Sequence, residues 1–182
     1  PIVILERKAN VKIPEQIAPN MHTLGIMLAY TPLHMLLLEP DEGFPDLLVM
    51  TSGNLSDEPI AYTNTGALKT LSPLADGFLL HNREINTRVD DSVITEFNDK
   101  KYFLRRSRGY APNAIPLQNR SLDILAVGGE LKNTFCLTKE KYAFVSHHIG
   151  DLKNIETYQS FTKGIDDYHD LFNVKPCLVA CD

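Results

Sequence analysis

Leu47-Leu48-Val49-Met50-Thr51-Ser52-Gly53-Asn54-Leu55-Ser56 is the stretch on which the reading of this chain turns. Four apolar residues run into Thr51-Ser52-Gly53-Asn54, which are small or polar throughout. The pattern predicts a strand over residues 46–50 that opens into a loop carrying two hydroxyls, an amide and a flexible glycine. Such a loop can present backbone N–H groups to an anionic or nucleotide-like ligand.

Upstream, residues 2–5 read as a buried strand and 24–28 as a second one. Residues 13–20 form a proline-bounded connector with one short helical turn. Pro32 opens a helix over 33–39, in the first turn where proline is tolerated. Downstream, Asn64 is a candidate N-cap for a helix through Leu71, stopped by Pro73. Residues 77–80 read as a short strand. Residues 92–97 and 101–104 read as a hairpin around Asn98-Asp99.

From 111 to 121 the chain has two prolines and no periodicity, which reads as a linker and a domain boundary. Three strand-like runs follow, at 124–127, 134–138 and 142–146, the last two joined by the charged turn Lys139-Glu140-Lys141. Apolar residues Ile155, Tyr158, Phe161, Ile165, Tyr168 and Phe172 then recur at intervals of three or four, the stripe of an amphipathic helix. Residues 178–181 close as a strand. The order β-β-β-α-β describes a small meander followed by a crossover.

The chain has 182 residues, 43% hydrophobic and 23% charged, with a net charge of −5. That composition is ordinary for a soluble globular protein, and the acidic balance argues against a general nucleic-acid coat. No apolar run approaches the roughly 20 residues that span a bilayer, and no signal peptide is visible. The three cysteines, Cys136, Cys177 and Cys181, are odd in number and lack a CxxC spacing. They argue against a disulfide framework and for a reducing cytoplasm. Cys177 and Cys181 would share a strand face and read as core packing. Pro1 stands directly in one apolar run and Asp182 directly after another, so a piece of a longer polypeptide is expected.

Further clusters carry candidate chemistry. Arg105-Arg106-Ser107-Arg108 puts three guanidinium forks in four residues; they read as phosphate ligands or as a solvated basic turn. Asp90-Asp91 can hold magnesium, which takes one or two carboxylates and keeps its waters, or can pair with nearby arginines. Gly128-Gly129 permits a tight turn and close ligand approach. Lys132, Asn133 and Thr134 beside it offer phosphate donors, although an ordinary hairpin loop fits equally. His147 and His148, adjacent in a strand, would face opposite sides and not share a metal. His148 with Asp151 reads as a hydrogen-bonded pair or as a cap. No GxSxG, P-loop or HExxH pattern is present.

Taken together, LGIMLAYTPLHMLLL (24–38), LLVMTSGNLSDEPI (47–60), ADGFLLHNREINTRVDDSVI (75–94), LRRSRGYAPNAI (104–115), LKNTFCL (131–137) and SHHIGDL (146–152) resemble the HypF-type carbamoyltransferases of [NiFe]-hydrogenase maturation. The TSGN segment alone is shared with the wider YrdC/Sua5 group. The resemblance implies a mixed α/β protein. Residues 1–117 would be the C-terminal portion of a YrdC-like twisted-sheet domain, 118–122 a linker, and 123–182 the start of a Kae1-like domain of the actin/hexokinase, ribonuclease H-like type.

It further implies a cytoplasmic transferase that uses ATP with magnesium. Carbamoyl phosphate is converted to carbamoyl adenylate with release of pyrophosphate, and the carbamoyl group passes to the C-terminal cysteine of HypE to become an iron cyanide ligand. Thr51, Ser52, Asn54 and Ser92 would bind the nucleotide or carbamoyl adenylate. Arg105, Arg106 and Arg108 fall where the family supplies a catalytic arginine, whose charge would stabilise the α-phosphate electrostatically. Zinc and the Kae1-site metal are expected only in parts of the family protein absent from this chain, which predicts exposed sheet edges and apolar faces here. The alternatives are threonylcarbamoyl-adenylate synthesis for tRNA modification, as in Sua5, and a YrdC-like module that binds double-stranded RNA without catalysis. The acidic balance disfavours nucleic acid as a partner, and none of these readings involves a membrane.

Overall fold

A computed structural model describes residues 1–10, 12–43, 45–55 and 58–181. Ser56 of the opening stretch and Asp182 at the expected domain end lie outside the described residues. The chain divides into two compact units that interleave along the sequence: Pro1–Thr51 with Ser92–Leu104, and Ser52–Asp91 with Arg105–Asp182. No helix among the described residues is long and apolar enough to cross a membrane.

The first unit is built on a four-stranded sheet, β1 (Ile2–Glu6), β2 (Thr23–Ile26), β3 (Val93–Phe97) and β4 (Lys100–Arg105), in the order β2-β1-β3-β4. β1 runs antiparallel to β2, with Leu5 opposite Leu24, and parallel to β3, with Ile2 opposite Val93. Asn98 and Asp99 both take positive φ, 52° and 57°, so they form the mirror-image turn that matches the twist of a tight hairpin. Helix α1 (Pro32–Leu37) starts as expected, with Thr31 Oγ1 accepting from the His34 N–H at 3.1 Å.

Residues 46–50 differ from expectation. They belong to no strand, and Val49 and Met50 are 64% and 57% exposed. Apolar composition marks the run for burial, but a strand also needs a neighbour to complete its ladder, and no described segment supplies one. The run borders an apolar groove of about 550 Å³ together with Leu24, Ile26, Leu28 and Leu37.

The second unit opens with helix α2 (Asn64–Leu71), capped by Thr63 rather than Asn64: Thr63 Oγ1 accepts from the Gly66 N–H, while Asn64 Nδ2 donates to the His81 carbonyl. Residues 77–80 form no strand, and Leu79 is largely exposed. The sheet of this unit contains β5 (Ile115–Ser121), β6 (Ile124–Ala126), β7 (Cys136–Val145) and β8 (Leu178–Ala180), in the order β5-β7-β6-β8. Part of the expected linker, residues 118–121, therefore lies in a strand. β5 is an edge strand, the one place in a sheet that tolerates Pro116, which stands opposite Tyr142.

β7 is one ten-residue strand instead of the expected two. The Lys139-Glu140-Lys141 stretch is absorbed as an irregularity: Glu140 takes φ 53°, and the pairing register shifts between Pro116 and Ser121. β6 pairs antiparallel with β7 and parallel with β8, and helix α3 (Ile155–Phe172) makes the crossover between β6–β7 and β8.

The core of this unit lies under α3. Phe135, Leu137 and Val174 are essentially inaccessible, and Phe161, Ile165, Tyr168 and Phe172 pack onto the cluster. Four residues of the predicted stripe thus face the core, while Ile155 and Tyr158 stay exposed. Asn154 caps α3 through Oδ1, and Asn173 ends it with a left-handed φ of 49°. Cys177 and Cys181 are exposed, not core residues, because they flank an edge strand whose own side chains are exposed. All three cysteines are free thiols.

Candidate functional site

The loop after residue 51 is held by Asn54. Its Nδ2 donates to the carbonyls of Leu55 and Glu58, each at 2.9 Å, and its backbone N–H donates to Ser52. Ala61 N–H closes the loop on the Gly53 carbonyl at 2.9 Å. With both amide hydrogens engaged, Asn54 Oδ1 is left buried without a donor. A buried acceptor with no partner costs on the order of 1–3 kcal/mol until something donates to it. Thr51 and Ser92 belong to the other unit, where Ser92 is fully buried and its carbonyl accepts from Ile2 N–H.

The three arginines divide by what they touch. Arg106 donates to the carbonyls of Val145, Tyr110 and Asn113 at 2.9, 2.8 and 2.9 Å. Arg108 donates to the Val89 carbonyl at 2.8 Å and pairs with Asp91 at 3.5 Å. Arg105, half-buried at the end of β4, has no hydrogen-bond or ion-pair partner among the described residues; its charge acts on His148.

The consequence for Arg106 is testable. Arg106→Ala leaves three carbonyls without their donor and is expected to lower the ligand-free stability of the intact protein by on the order of 2–3 kcal/mol. Arg106→Lys keeps the charge but not the fork and should recover only part of it. Thermal unfolding without nucleotide checks this; an unchanged melting temperature in Arg106→Ala would show that the three bonds carry no weight.

Asp91 is engaged by Arg108, and the Asp90 carbonyl accepts from the Arg108 N–H. Among the described residues no group of three or more His, Cys, Asp and Glu side chains is placed to hold a metal. The Gly128–Thr134 turn is tightly built. Gly128 has φ 63°, and a Cβ there would lie 2.5 Å from the Thr134 carbonyl oxygen. Lys132 N–H donates to Asp151 Oδ1 at 2.8 Å, so the cap fixes this turn instead of a pair with His148. Asn133 is buried, with Nδ2 donating to Val127 and Gly129 carbonyls and Oδ1 without a donor.

Ser146 and His147 are buried at the end of β7, where Ser146 Oγ accepts from Phe135 N–H and donates to the His147 carbonyl. Burial pulls the His147 pKa down from 6.5 to about 4, with Asp90 opposing. His148 is also lowered, by burial and then by Arg105.

Because folded His147 refuses a proton that the unfolded chain accepts, its contribution to stability is present above pH 6.5. It is lost progressively as the pH falls from 6.5 towards 4, by on the order of 3 kcal/mol. Unfolding measured across that range should show the loss in the wild type and a shallower slope in His147→Gln. Equal slopes would contradict the buried neutral imidazole.

A cleft of about 650 Å³ with several charged side chains in its lining was not visible from the sequence. It brings Asn54 and Tyr62 together with Arg88 and with Asn154, Glu156 and Lys163 on the first half of α3 and its cap. Arg88 is half-buried there, and desolvation lowers its pKa against the attraction of Asp90, Tyr62 and Glu156. The only local signal was an arginine two residues from Asp90; the other wall of the cleft lies more than sixty residues further along. No hydrogen bond among the described residues joins Ser52 or Asn54 to Arg105, Arg106 or Arg108.

The fold and these loops define a two-part α/β protein, and comparison with known proteins agrees. The Sua5/YciO/YrdC family, described as "Telomere recombination", matches residues 1–107, and the HypF Kae1-like domain matches 119–182. The carbamoyltransferase HypF of Synechocystis sp. is 44% identical over 183 residues, and that of Rhodobacter capsulatus 43% over 185. Each alignment covers all of this chain and 24% of the relative. A crystal structure of full-length HypF in a phosphate- and nucleotide-bound form superposes with a TM-score of 0.90 at 49% identity, covering all of this chain and 28% of that one. Thermococcus kodakarensis HypF gives 0.91 at 37% identity, covering 24% of that chain. The chain belongs to the Sua5/YciO/YrdC family, whose model spans residues 1–107, and over its whole length it is similar to HypF carbamoyltransferases, of whose length it spans about a quarter.

Proposed function

We propose that the intact protein is a carbamoyltransferase of [NiFe]-hydrogenase maturation. ATP and carbamoyl phosphate are its substrates. Water hydrolyses carbamoyl phosphate, phosphate leaves, and an oxygen of the resulting carbamate attacks the α-phosphorus of ATP; pyrophosphate departs and carbamoyl adenylate forms. The carbamoyl carbon then passes to the C-terminal cysteine thiolate of HypE, and AMP leaves. The reading is supported by the names of the relatives and by the phosphate and nucleotide bound to a solved HypF.

The observation that carries the site is the Asn54 amide, whose Nδ2 holds the loop and whose buried Oδ1 awaits a donor. A carbamoyl or adenine N–H supplies that donor. Ser52 adds a hydroxyl in the same loop; Thr51 and Ser92 are expected nucleotide and phosphate contacts from the resemblance alone. In the Kae1-like part, Lys132 and Thr134 are the phosphate donors of the turn and Asn133, whose own donors are engaged, shapes it.

Of the arginines, Arg105 is the one with an uncommitted guanidinium fork to offer a developing phosphate anion, since the forks of Arg106 and Arg108 are engaged by the protein. Magnesium arriving with ATP needs one or two carboxylates; Asp90 fits, whereas Asp91 is held by Arg108. The domain boundary is assigned to residues 118–122, at the start of the Kae1-like match, which opens at 119. Free thiols agree with a cytoplasmic setting.

The test is transfer. Labelled carbamoyl phosphate, ATP, the intact protein and HypE should give a carbamoylated C-terminal cysteine on HypE only when ATP is present. No label on HypE, or label independent of ATP, would contradict the reading.

A further inference from the structure

Arg88 has no role in the reading so far, yet its setting is that of a ligand-binding group. It is half-buried in the 650 Å³ cleft, and among the described residues it makes no hydrogen bond and no ion pair within 4.0 Å. A guanidinium cannot shed its charge, so burying one without a close partner is unfavourable until an anion arrives. The desolvation that lowers its pKa is the same cost viewed from the proton.

The cleft holds a second unfulfilled group, Asn54 Oδ1, an acceptor without a donor. Its other cation and the helix N–H groups beside it are taken. Lys163 is bound to Asp167, and the first N–H groups of α3, at Glu156 and Thr157, are capped by Asn154. Glu58 and Glu156 also line the cleft, which disfavours a highly charged polyphosphate and suits a ligand with one phosphoryl group. One cation and one acceptor, with carboxylates nearby, match a single phosphoryl group on a ligand that carries an N–H donor.

We propose that Arg88 binds the phosphoryl group of an adenylate in this cleft while Asn54 Oδ1 accepts an N–H from the same ligand. The proposal rests on the carbamoyl-adenylate reading for its ligand but makes its own prediction about binding. The experiment uses the intact parent protein, with Arg88→Met and Arg88→Lys beside the wild type. It measures equilibrium binding of AMP and of ATP, the melting temperature without nucleotide, and carbamoyl-phosphate-dependent exchange of pyrophosphate into ATP.

Arg88→Met should weaken AMP binding by about tenfold or more, the loss of one charge-assisted contact, at an unchanged ligand-free melting temperature. Arg88→Lys should recover part of that loss. AMP affinity equal to the wild type would overturn the proposal. So would a fall in melting temperature that accompanies the loss of binding and is repaired with it by lysine, since Arg88 would then be structural. If the wild type shows no exchange but Arg88 still governs AMP binding, the carbamoyl reading fails and the Arg88 assignment stands.

Discussion

Phe135→Ala is expected to lower the unfolding free energy of the second unit by about 3–5 kcal/mol, the cost of removing a fully buried aromatic ring and leaving a cavity. Phe135 is 1% exposed and meets Tyr168 edge-on at 4.9 Å and Phe161 at 6.1 Å between ring centroids. α3 approaches it closely because position 164 is glycine: a Cβ there would lie 3.1 Å from Phe135 Cε1. The helix thus accepts a residue of poor helical propensity, about 1 kcal/mol worse than alanine, in exchange for contact with the ring. Phe135 follows directly on Lys132-Asn133-Thr134, so the same ring anchors the candidate phosphate turn. Urea unfolding of the intact protein checks the size of the effect. Phe135→Leu should cost much less, and a loss below about 1 kcal/mol in Phe135→Ala would contradict the described core.

Asn54→Ala is expected to lower carbamoyl-phosphate-dependent pyrophosphate exchange by about 10- to 100-fold, equivalent to about 1.4–2.7 kcal/mol in the barrier. The substitution removes both donors that tie the loop to Leu55 and Glu58, and with them the buried acceptor. Asn54→Asp keeps the acceptor but not the donors, so it should remain strongly impaired. The loop is half-exposed, and the nucleotide-free melting temperature should move little. Exchange at the wild-type rate in Asn54→Ala would remove this loop from the site.

Features set by nearby residues were legible in the sequence. The Asn98-Asp99 hairpin followed from two residues that tolerate positive φ, and α3 from its apolar spacing. Features set by distant partners were not. The runs at 46–50 and 77–80 are apolar enough for strands, but composition does not reveal whether a neighbouring strand exists. Pro116 suggested a linker because proline cannot donate within a ladder, yet an edge strand does not ask it to. Lys139-Glu140-Lys141 suggested a turn because a bulge and a turn have the same polar composition.

The candidate site follows the same rule. Asn54 could be singled out from its own loop. The engagement of Arg106 depends on Val145, 39 residues away, and the cleft around Arg88 depends on Asn154 to Lys163. The basic cluster therefore suggested phosphate chemistry without saying which of its arginines the fold itself would engage.

The most direct test of the central claim is exchange of labelled pyrophosphate into ATP by the intact protein, with carbamoyl phosphate or with threonine and bicarbonate as the second substrate. Carbamoyl adenylation predicts exchange that requires carbamoyl phosphate. Exchange supported instead by threonine and bicarbonate, or none under either condition, would contradict it.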